Sequence, residues 1–233
     1  MRNDALLISS LTLGCDPEFF LCDSRGSMTT SIEAKIPGSK KEPFPIGDGV
    51  SIHPDNVTLE ISVPPYEVTL QNLPNLENEY SKEFKKHRNV VRKWLKENRP
   101  KVLIAALSSE CEFTPEQLSS PEAKQFGCDP DLNAHEGGAP YPPVDPADCW
   151  YKRFAGGHIH IGYDKSKATI PEFALVQLVE ALSLHVMWGT VSHGFIGNES
   201  IFYYGKPGAF RIKPYGFEYR TPSTFWAEFG TAS

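Results

Sequence analysis

The chain has 233 residues, enough for a sizeable hydrophobic core, and we expect a single domain over residues 1–233. Its net charge of −6 and the lack of a long basic run argue against a nucleic-acid-binding protein. No apolar run in the sequence reaches the ~20 residues that a membrane-spanning helix needs. The five cysteines are odd in number and form no CxxC pair, so we expect reduced thiols, a cytoplasmic location and no zinc site.

The first half of the chain combines short predicted strands with one long predicted helix. Alternating or β-branched runs predict strands over residues 11–22, 27–34, 56–63 and 102–107. Residues 36–50 are rich in Gly, Pro and Lys and predict a long loop. Apolar residues at helical spacing predict a helix over residues 70–98, and we interpret its basic face as solvent-exposed surface.

The second half begins with residues 108–151, which follow no regular pattern; an irregular connection of this length is usually functional. Further strands are predicted over residues 153–163, 210–213 and 217–221. A proline at position 171 suits the first turn of an amphipathic helix that we predict to end near residue 192. Strands separated by long helical segments, without regular βαβ alternation, predict an α+β fold with a mostly antiparallel sheet.

Four strand-like segments carry residue types that bind metal ions. They are LGCDPEFFL with Asp16 and Glu18, HPDNVTLEISVPP with Asp55 and Glu60, AGGHIHIG with His158 and His160, and FRIKPYGFEYRTPS with Glu218 and Arg220. Alternate side chains of a strand share one face, so three of these pairs are each expected to project to one side of a sheet. If the strands line a common groove, they could hold divalent cations against nucleotide phosphates, which predicts an ATP-dependent enzyme.

Each segment alone also has a purely structural interpretation. Strand-end carboxylates can face water, although a buried carboxylate is costly unless it is paired or bound to a metal. Two histidines on one strand face can be core residues, and Glu218 with Arg220 can be a simple ion pair. The other histidines, including His53 and His87, have no comparable sequence context, and no site role is predicted for them. The four segments together favour a functional site.

These motifs resemble those of a known superfamily. GCDPEFFL resembles the EPEFFLF strand of glutamine synthetases, GGHIHIG is similar to their Gly-x-x-His-x-His strand, and FEYRTPS resembles a late strand with a metal-binding glutamate and an arginine. The longer match, with GSK..P, DNVTLEISVPP, GCDPDLNA, RFAGGHIHIG and YGKPGAFRIKPYGFEYRTPSTFW, resembles the phage carboxylate–amine (COOH–NH2) ligase family of that superfamily. The resemblance covers residues 11–226. It implies a glutamine-synthetase-like catalytic domain with a curved, mostly antiparallel sheet and flanking helices.

The activity that the resemblance implies is ATP-dependent joining of a carboxylate to an amine through an acyl-phosphate. Two divalent cations are implied, Mg²⁺ or alternatively Mn²⁺, because oxygen ligands suit both. One cation is expected on Glu18, Glu60 and a third acid, Asp55 or Asp48. The other cation is expected on Asp16, His158 and Glu218.

The resemblance also implies roles for the basic residues. Arg220 and Arg211 are expected to stabilise charge on the transferring phosphoryl group. The remaining phosphates are expected to contact His160, Lys206 and Lys213. Arg153 is expected to bind the substrate carboxylate.

The expected partners are therefore small-molecule, peptide or protein substrates that supply a carboxylate and an amine, without nucleic acid or membrane. The irregular residues 108–151, with the motif CDPDLN at 128–133, are expected to shape the choice of substrate. A homo-oligomer is compatible with these expectations, but the ring assembly of glutamine synthetases is not implied.

Two other function classes compete with a ligase. A non-catalytic nucleotide- or metal-binding protein could retain the same fold, although acids in all four segments argue against a decayed site. A divalent-metal hydrolase would also use metal ligands, but the chain has no HExxH motif, and the basic last segment fits a nucleotide better.

Overall fold

The described part of the protein combines helices with antiparallel strands. A computed structural model describes residues 11–105, 110–124, 131–142, 150–166, 170–192, 205–222, 224 and 226, with the backbone alone for residues 187–192. The helices in these residues are α1 (Leu76–Asn98), α2 (Pro121–Lys124) and α3 (Glu172–Ser192). The strands are β1 (Thr12–Cys15), β2 (Glu18–Phe19), β3 (Leu21–Asp23), β4 (Met28–Thr29), β5 (Phe44–Gly47), β6 (Val50–Asp55), β7 (Thr58–Ser62), β8 (Tyr66–Glu67), β9 (Val102–Ile104), β10 (Glu110–Glu112), β11 (Leu132–Asn133), β12 (Ala139–Pro140), β13 (Lys152–Phe154), β14 (Ile159–Gly162), β15 (Ala209–Lys213) and β16 (Gly216–Tyr219).

The strands form sheets in which the paired neighbours are antiparallel. Within the described residues the largest sheet has seven strands, in the order β12-β11-β15-β16-β14-β1-β8. A second sheet has the order β2-β7-β6-β5, and smaller sheets are β4-β3-β9 and β10-β13. Mixed helices and antiparallel sheets confirm the predicted α+β class.

Helix α3 covers one face of the seven-stranded sheet. Val176 and Val179 of the helix share a buried apolar cluster with Phe210, Phe217 and Tyr219 of the last two strands. Because side chains alternate along a strand, the residues between these aromatics project from the opposite face. The burial of one face against α3 therefore leaves the other face for polar side chains.

Helix α1 covers one face of the four-stranded sheet in the same way. Its residues Phe84 and Val91 belong to a buried cluster with Ile52, Leu59 and Ile61 of the hairpin β6–β7. The helix begins at Leu76 rather than near residue 70, because Leu73–Asn75, which includes Pro74, forms a 3₁₀ turn before it. The predicted helix at residues 171–192 is confirmed, with α3 over Glu172–Ser192.

The prediction of one strand over residues 11–22 is wrong. The chain forms β1, β2 and β3 there, and these strands belong to three different sheets. The first break falls at Asp16 and Pro17, because proline has no N–H to donate to a strand ladder. Asp16 and Glu18 are therefore not a pair on one strand face.

The strand predicted over residues 153–163 is likewise divided, into β13 and β14. Two glycines, Gly156 and Gly157, lie in the break. Gly156 approaches β2 closely, because Glu18 N donates to Gly156 O at 2.8 Å. A backbone without a side chain permits this approach.

Other predicted boundaries are also corrected. Residues 36–50 are not only a loop, since β5 lies there and pairs with β6. Of the strand predicted at residues 27–34 only β4 forms, and turns follow it. The described parts of residues 108–151 are more regular than expected, because they contain β10, α2, β11 and β12. The two last predicted strands are confirmed as β15 and β16.

Among the described residues, none of the helices combines the length and the apolar character that crossing a membrane requires.

The pairing of β16 with β14 depends on a glycine. A Cβ at Gly216 would overlap the carbonyl oxygen of Ile161 across the strand pair. We expect Gly216→Ala to lower the free energy of unfolding by about 1–3 kcal/mol, the usual cost of overpacking, as measured by urea denaturation. The control is Gly14→Ala in β1 of the same sheet, where a Cβ would make an ordinary 3.4 Å contact with His160 Cβ. An equal loss in both variants would contradict the close packing at Gly216.

Candidate active site

Three carboxylates from neighbouring strands form the first group, which we name the carboxylate cluster (Glu18, Asp55 and Glu60). Glu18 of β2 lies directly opposite Glu60 of β7 in the antiparallel pair, so both side chains share one face. Asp55 is the last residue of β6, beside the start of β7. One oxygen of each carboxylate lies within 4.8 Å of the others, a spacing that could hold a metal ion.

The carboxylate cluster is poorly neutralised by the protein. Burial, followed by the charge of Asp55, raises the pKa of Glu18 to about 8, although the N–H of Gly156 donates to its Oε2 at 2.8 Å. Burial, followed by the charges of Asp16 and Glu18, raises the pKa of Glu60 to about 10. Burial therefore favours protonated carboxyls here unless a cation compensates the negative charge.

The charge and the oxygen ligands of the carboxylate cluster suit a divalent cation. Lys40 contacts the cluster only at its edge, with Nζ 3.9 Å from Asp55 Oδ2 on a mostly exposed side chain. Three oxygen ligands from buried or half-buried carboxylates are the donor set that Mg²⁺ and Mn²⁺ use. Of the two acids considered from the sequence, the structure places Asp55 in this group. Asp48 is exposed, in the turn between β5 and β6.

The second group, which we name the mixed cluster (Asp16, His158, His160, Glu218 and Arg220), lies on the face of the seven-stranded sheet opposite α3. His160 of β14 is directly opposite Glu218 of β16, and Glu218 is directly opposite Arg211 of β15. His158 Nδ1 lies 3.1 Å from Asp16 Oδ1 and 3.3 Å from Glu218 Oε1. His160 Nε2 lies 3.2 Å from Asp16 Oδ2. Both histidines therefore face the same carboxylates.

The mixed cluster is well neutralised, in contrast to the carboxylate cluster. Burial opposes ionisation of Asp16, but the two histidines outweigh it and hold the pKa of Asp16 below its ordinary value. Burial likewise opposes ionisation of Glu218, but the guanidinium of Arg220 outweighs it and lowers the pKa of Glu218. Arg220 is ion-paired with Glu218, and Lys213 Nζ lies 2.6 Å from Glu218 Oε2.

The mixed cluster also offers a metal ligand set. Ligand atoms of Asp16, His160 and Glu218 lie within 4.8 Å of one another, and His158 is beside two of them. One imidazole and two carboxylates suit a divalent cation. Such a cation would share Glu218 with Arg220 and Lys213. The difference in counter-charge predicts that a first cation binds the carboxylate cluster.

Asp131 joins the mixed cluster, although sequence patterns predict no role for its side chain. Its Oδ1 lies 2.7 Å from Arg220 Nε and 3.2 Å from Arg211 Nη2, so one carboxylate bridges the two guanidinium groups. The only sequence signal was its place in CDPDLN, in a segment expected to shape substrate choice. Sequence patterns could not predict this contact, because Asp131 is 80 positions from Arg211 and outside the strand motifs.

Tyr215 is a second residue without a predicted role. It lies in the turn between β15 and β16, and its hydroxyl is 3.1 Å from His160 Nδ1. The two rings are stacked, with centroids 5.8 Å apart. His160 is therefore held between Tyr215 on one ring nitrogen and Asp16 on the other, which fixes the orientation of the imidazole.

Arg153, the predicted contact of the substrate carboxylate, has several hydrogen bonds to backbone carbonyls. Its guanidinium is buried and donates through Nε and Nη2 to Ala123 O, and through Nη1 to the carbonyls of Trp150 and Lys152. These bonds connect β13 to helix α2 and satisfy carbonyls that would otherwise be buried without a donor. These contacts give Arg153 a role in the fold, and its binding of a substrate carboxylate stays a prediction.

The ammonium group of Lys206, a predicted phosphate contact, lies over an aromatic ring. Its Nζ lies 5.0 Å from the centroid of the Tyr141 ring, a cation–π contact. Its backbone carbonyl accepts a hydrogen bond from Thr221 Oγ1, next to Arg220. Lys206 is therefore near the edge of the mixed cluster by its backbone.

One comparison with known proteins gives a match. Residues 146–233 match the family model described as Phage phiEco32-like COOH.NH2 ligase-type 2. This match supports the predicted family over that part of the chain. The matched residues include both histidines, Glu218 and Arg220 of the mixed cluster, and none of the three acids of the carboxylate cluster. No curated protein and no solved structure matches the chain.

The raised pKa of Glu60 predicts a pH-dependent stability. A carboxyl whose pKa is higher in the folded than in the unfolded state makes stability fall as pH rises from the unfolded pKa, about 4.3, to the folded one. For Glu60 the folded value is about 10. We expect Glu60→Gln to raise the melting temperature of the metal-free protein at pH 8 by about 3 °C or more, and by less at pH 5.

The control for this measurement is Glu112→Gln, which changes an exposed carboxyl at the end of β10. Its melting temperature should follow that of the wild type at both pH values. If Glu60→Gln is no more stable than the wild type at pH 8, burial of a charge-deficient cluster is the wrong description.

Proposed function

We propose that this protein is an ATP-dependent carboxylate–amine ligase with a glutamine-synthetase-like catalytic domain. The observation that carries the proposal is the presence of two metal-ligand groups on two sheets that the segment from Asp16 to Glu18 joins, with a pair of arginines beside one of them. The description of the matched family as a COOH.NH2 ligase supports this class of reaction. Antiparallel sheets with acidic residues on one face and helices on the other support the proposed fold.

The carboxylate cluster and the mixed cluster are the proposed sites of two Mg²⁺ or Mn²⁺ ions. The carboxylate cluster would hold one ion, and Asp16, His158 and Glu218 would hold the other. When bound, such cations supply charge neutralisation for phosphate oxygens, which is worth several kcal/mol in transition states of this type. Without bound cations, the carboxylates of the two clusters would repel the phosphates of a nucleotide.

Arg211 and Arg220 are the proposed contacts of the phosphoryl group. In the structure the two guanidinium groups already share one oxyanion, the carboxylate of Asp131. A phosphoryl group is also an anion, and its oxygens accept charge-assisted hydrogen bonds from guanidinium N–H donors as carboxylate oxygens do. Asp131 would then be displaced when the nucleotide binds. Lys213, His160 and Lys206 are the proposed contacts of the remaining phosphate oxygens.

The proposed reaction has two steps. A substrate carboxylate oxygen attacks the γ-phosphorus of ATP, the bond to the bridging oxygen breaks, and ADP leaves with the electron pair. The amine nitrogen then attacks the carbonyl carbon of the acyl-phosphate, inorganic phosphate leaves, and the nitrogen loses a proton. The chain's part is to position the reactants and to stabilise negative charge by Arg211 and Arg220.

The test is release of inorganic phosphate from ATP with Mg²⁺ and mixtures of amino acids or peptides, with the adduct detected by mass spectrometry. We expect phosphate release only when a carboxylate and an amine are both present. Glu18→Gln and Arg220→Lys should each lower the rate by about 100-fold or more, the usual cost of losing one charge-stabilising group. Melting curves establish that each variant is folded.

Matched controls are Glu112→Gln and Arg25→Lys, which change exposed residues outside both clusters. They should retain the wild-type rate. Phosphate release without an amine would support a hydrolase. Cation-dependent ATP binding with no turnover on any substrate mixture would support a binding protein. Either result would contradict the ligase proposal.

A further inference from the structure

His53 is buried beside the carboxylate cluster, and its ring has no hydrogen bond to any described residue. It lies on β6 directly opposite Glu60, which is itself opposite Glu18, so the three side chains form one row across three strands. The His53 side chain is 1% exposed, and its Nε2 lies 3.5 Å from Glu60 Oε1. Within the part of the chain that the structure describes, neither ring nitrogen of His53 has a hydrogen-bond partner.

This arrangement is costly for a histidine that only fills space. A buried donor or acceptor without a partner costs about 1–3 kcal/mol, and buried polar groups are nearly always hydrogen-bonded. An apolar side chain on this strand face would avoid the cost. The 3.5 Å separation from Glu60 is longer than the 2.7–3.2 Å of an ordinary N–H···O bond. The two atoms are thus close neighbours without a direct bond.

A shared cation accounts for both features. Two ligands at about 2.1–2.3 Å from one ion lie about 3.0–3.3 Å apart at a right angle, and further apart at wider angles. The 3.5 Å separation of His53 Nε2 from Glu60 Oε1 corresponds to an angle of about 105° at an ion that is about 2.2 Å from both atoms. A neutral imidazole nitrogen also binds transition-metal dications more strongly than it binds Mg²⁺, because Mg²⁺ prefers oxygen ligands.

We propose that His53 is a fourth protein ligand of the cation held by Glu18, Asp55 and Glu60, and that it makes this site select a transition-metal dication over Mg²⁺. The proposal rests on the proposed function only in taking the carboxylate cluster as a cation site. It adds a nitrogen ligand, His53, for which the sequence analysis predicts no site role. Its consequence is a metal preference that can be measured without ATP or substrates.

The experiment compares Mn²⁺ and Mg²⁺ affinities of the full, metal-free chain by calorimetric titration. We expect His53→Gln to weaken Mn²⁺ binding by about 10-fold or more, and Mg²⁺ binding by less than about 3-fold. The matched control is His87→Gln on α1. His87 is also buried, with Nε2 3.8 Å from Glu83 Oε1, but it lies outside both clusters. The control should bind both metals as the wild type does.

A spectroscopic measurement identifies the ligand directly. With less than one equivalent of Mn²⁺, electron spin echo modulation from an imidazole ¹⁴N should be present in the wild type. It should persist in His160→Gln, which changes the mixed cluster, and be lost in His53→Gln. A signal retained in His53→Gln, or an equal loss of Mn²⁺ and Mg²⁺ affinity, would overturn the proposal, since His53 would then only position Glu60.

A second measurement does not depend on the folding of a variant. In wild-type crystals soaked with Mn²⁺, the anomalous peak should lie about 2.2 Å from His53 Nε2. A peak at the carboxylate cluster more than about 3 Å from both ring nitrogens, beyond ligand distance, would contradict the proposal. Failure of the ligase assay would leave these metal measurements unchanged, so the two proposals fail separately.

Discussion

Burial of two carboxyl groups at facing strand positions is the constraint on which the site depends. Glu18 and Glu60 face each other across an antiparallel pair, an arrangement that is destabilising for two ionised carboxylates. The pKa values of about 8 and about 10 express the cost of that arrangement. The apolar residues on the opposite face, packed against α1, keep the strands in place despite this cost. The fold therefore stabilises a cluster that a cation would complete.

The mixed cluster differs because its charges are already balanced. Asp16 faces two histidines, and Glu218 is paired with Arg220 and Lys213. Pro17 separates the two clusters, because the break in the strand sends Asp16 to one sheet and Glu18 to another. A single short segment thus supplies one acid to each cluster. The contrast explains how neighbouring groups could have different cation affinities.

Periodicity alone predicted part of this site. Alternation along strands placed His158 with His160, and Glu218 with Arg220, and the structure has each pair in the mixed cluster. The break at Pro17 was missed, because an apolar run on both sides of a proline resembles one strand. The bridge from Asp131 to two arginines and the row through His53 were also missed. The bridge depends on contact between segments that are distant in sequence. The row through His53 depends on the register of the β6–β7 hairpin and of β2 with β7, which a single sequence does not specify.

Proton release on cation binding tests the central claim most directly, because it reports the charge state of the carboxylate cluster itself. Titration of the metal-free protein with Mn²⁺ at pH 7 in weak buffer, followed with an indicator dye, measures the protons displaced. With both Glu18 and Glu60 protonated before binding, we expect release of about two protons per first cation in the wild type and about one in Glu60→Gln. Binding of Mn²⁺ without proton release would contradict the account.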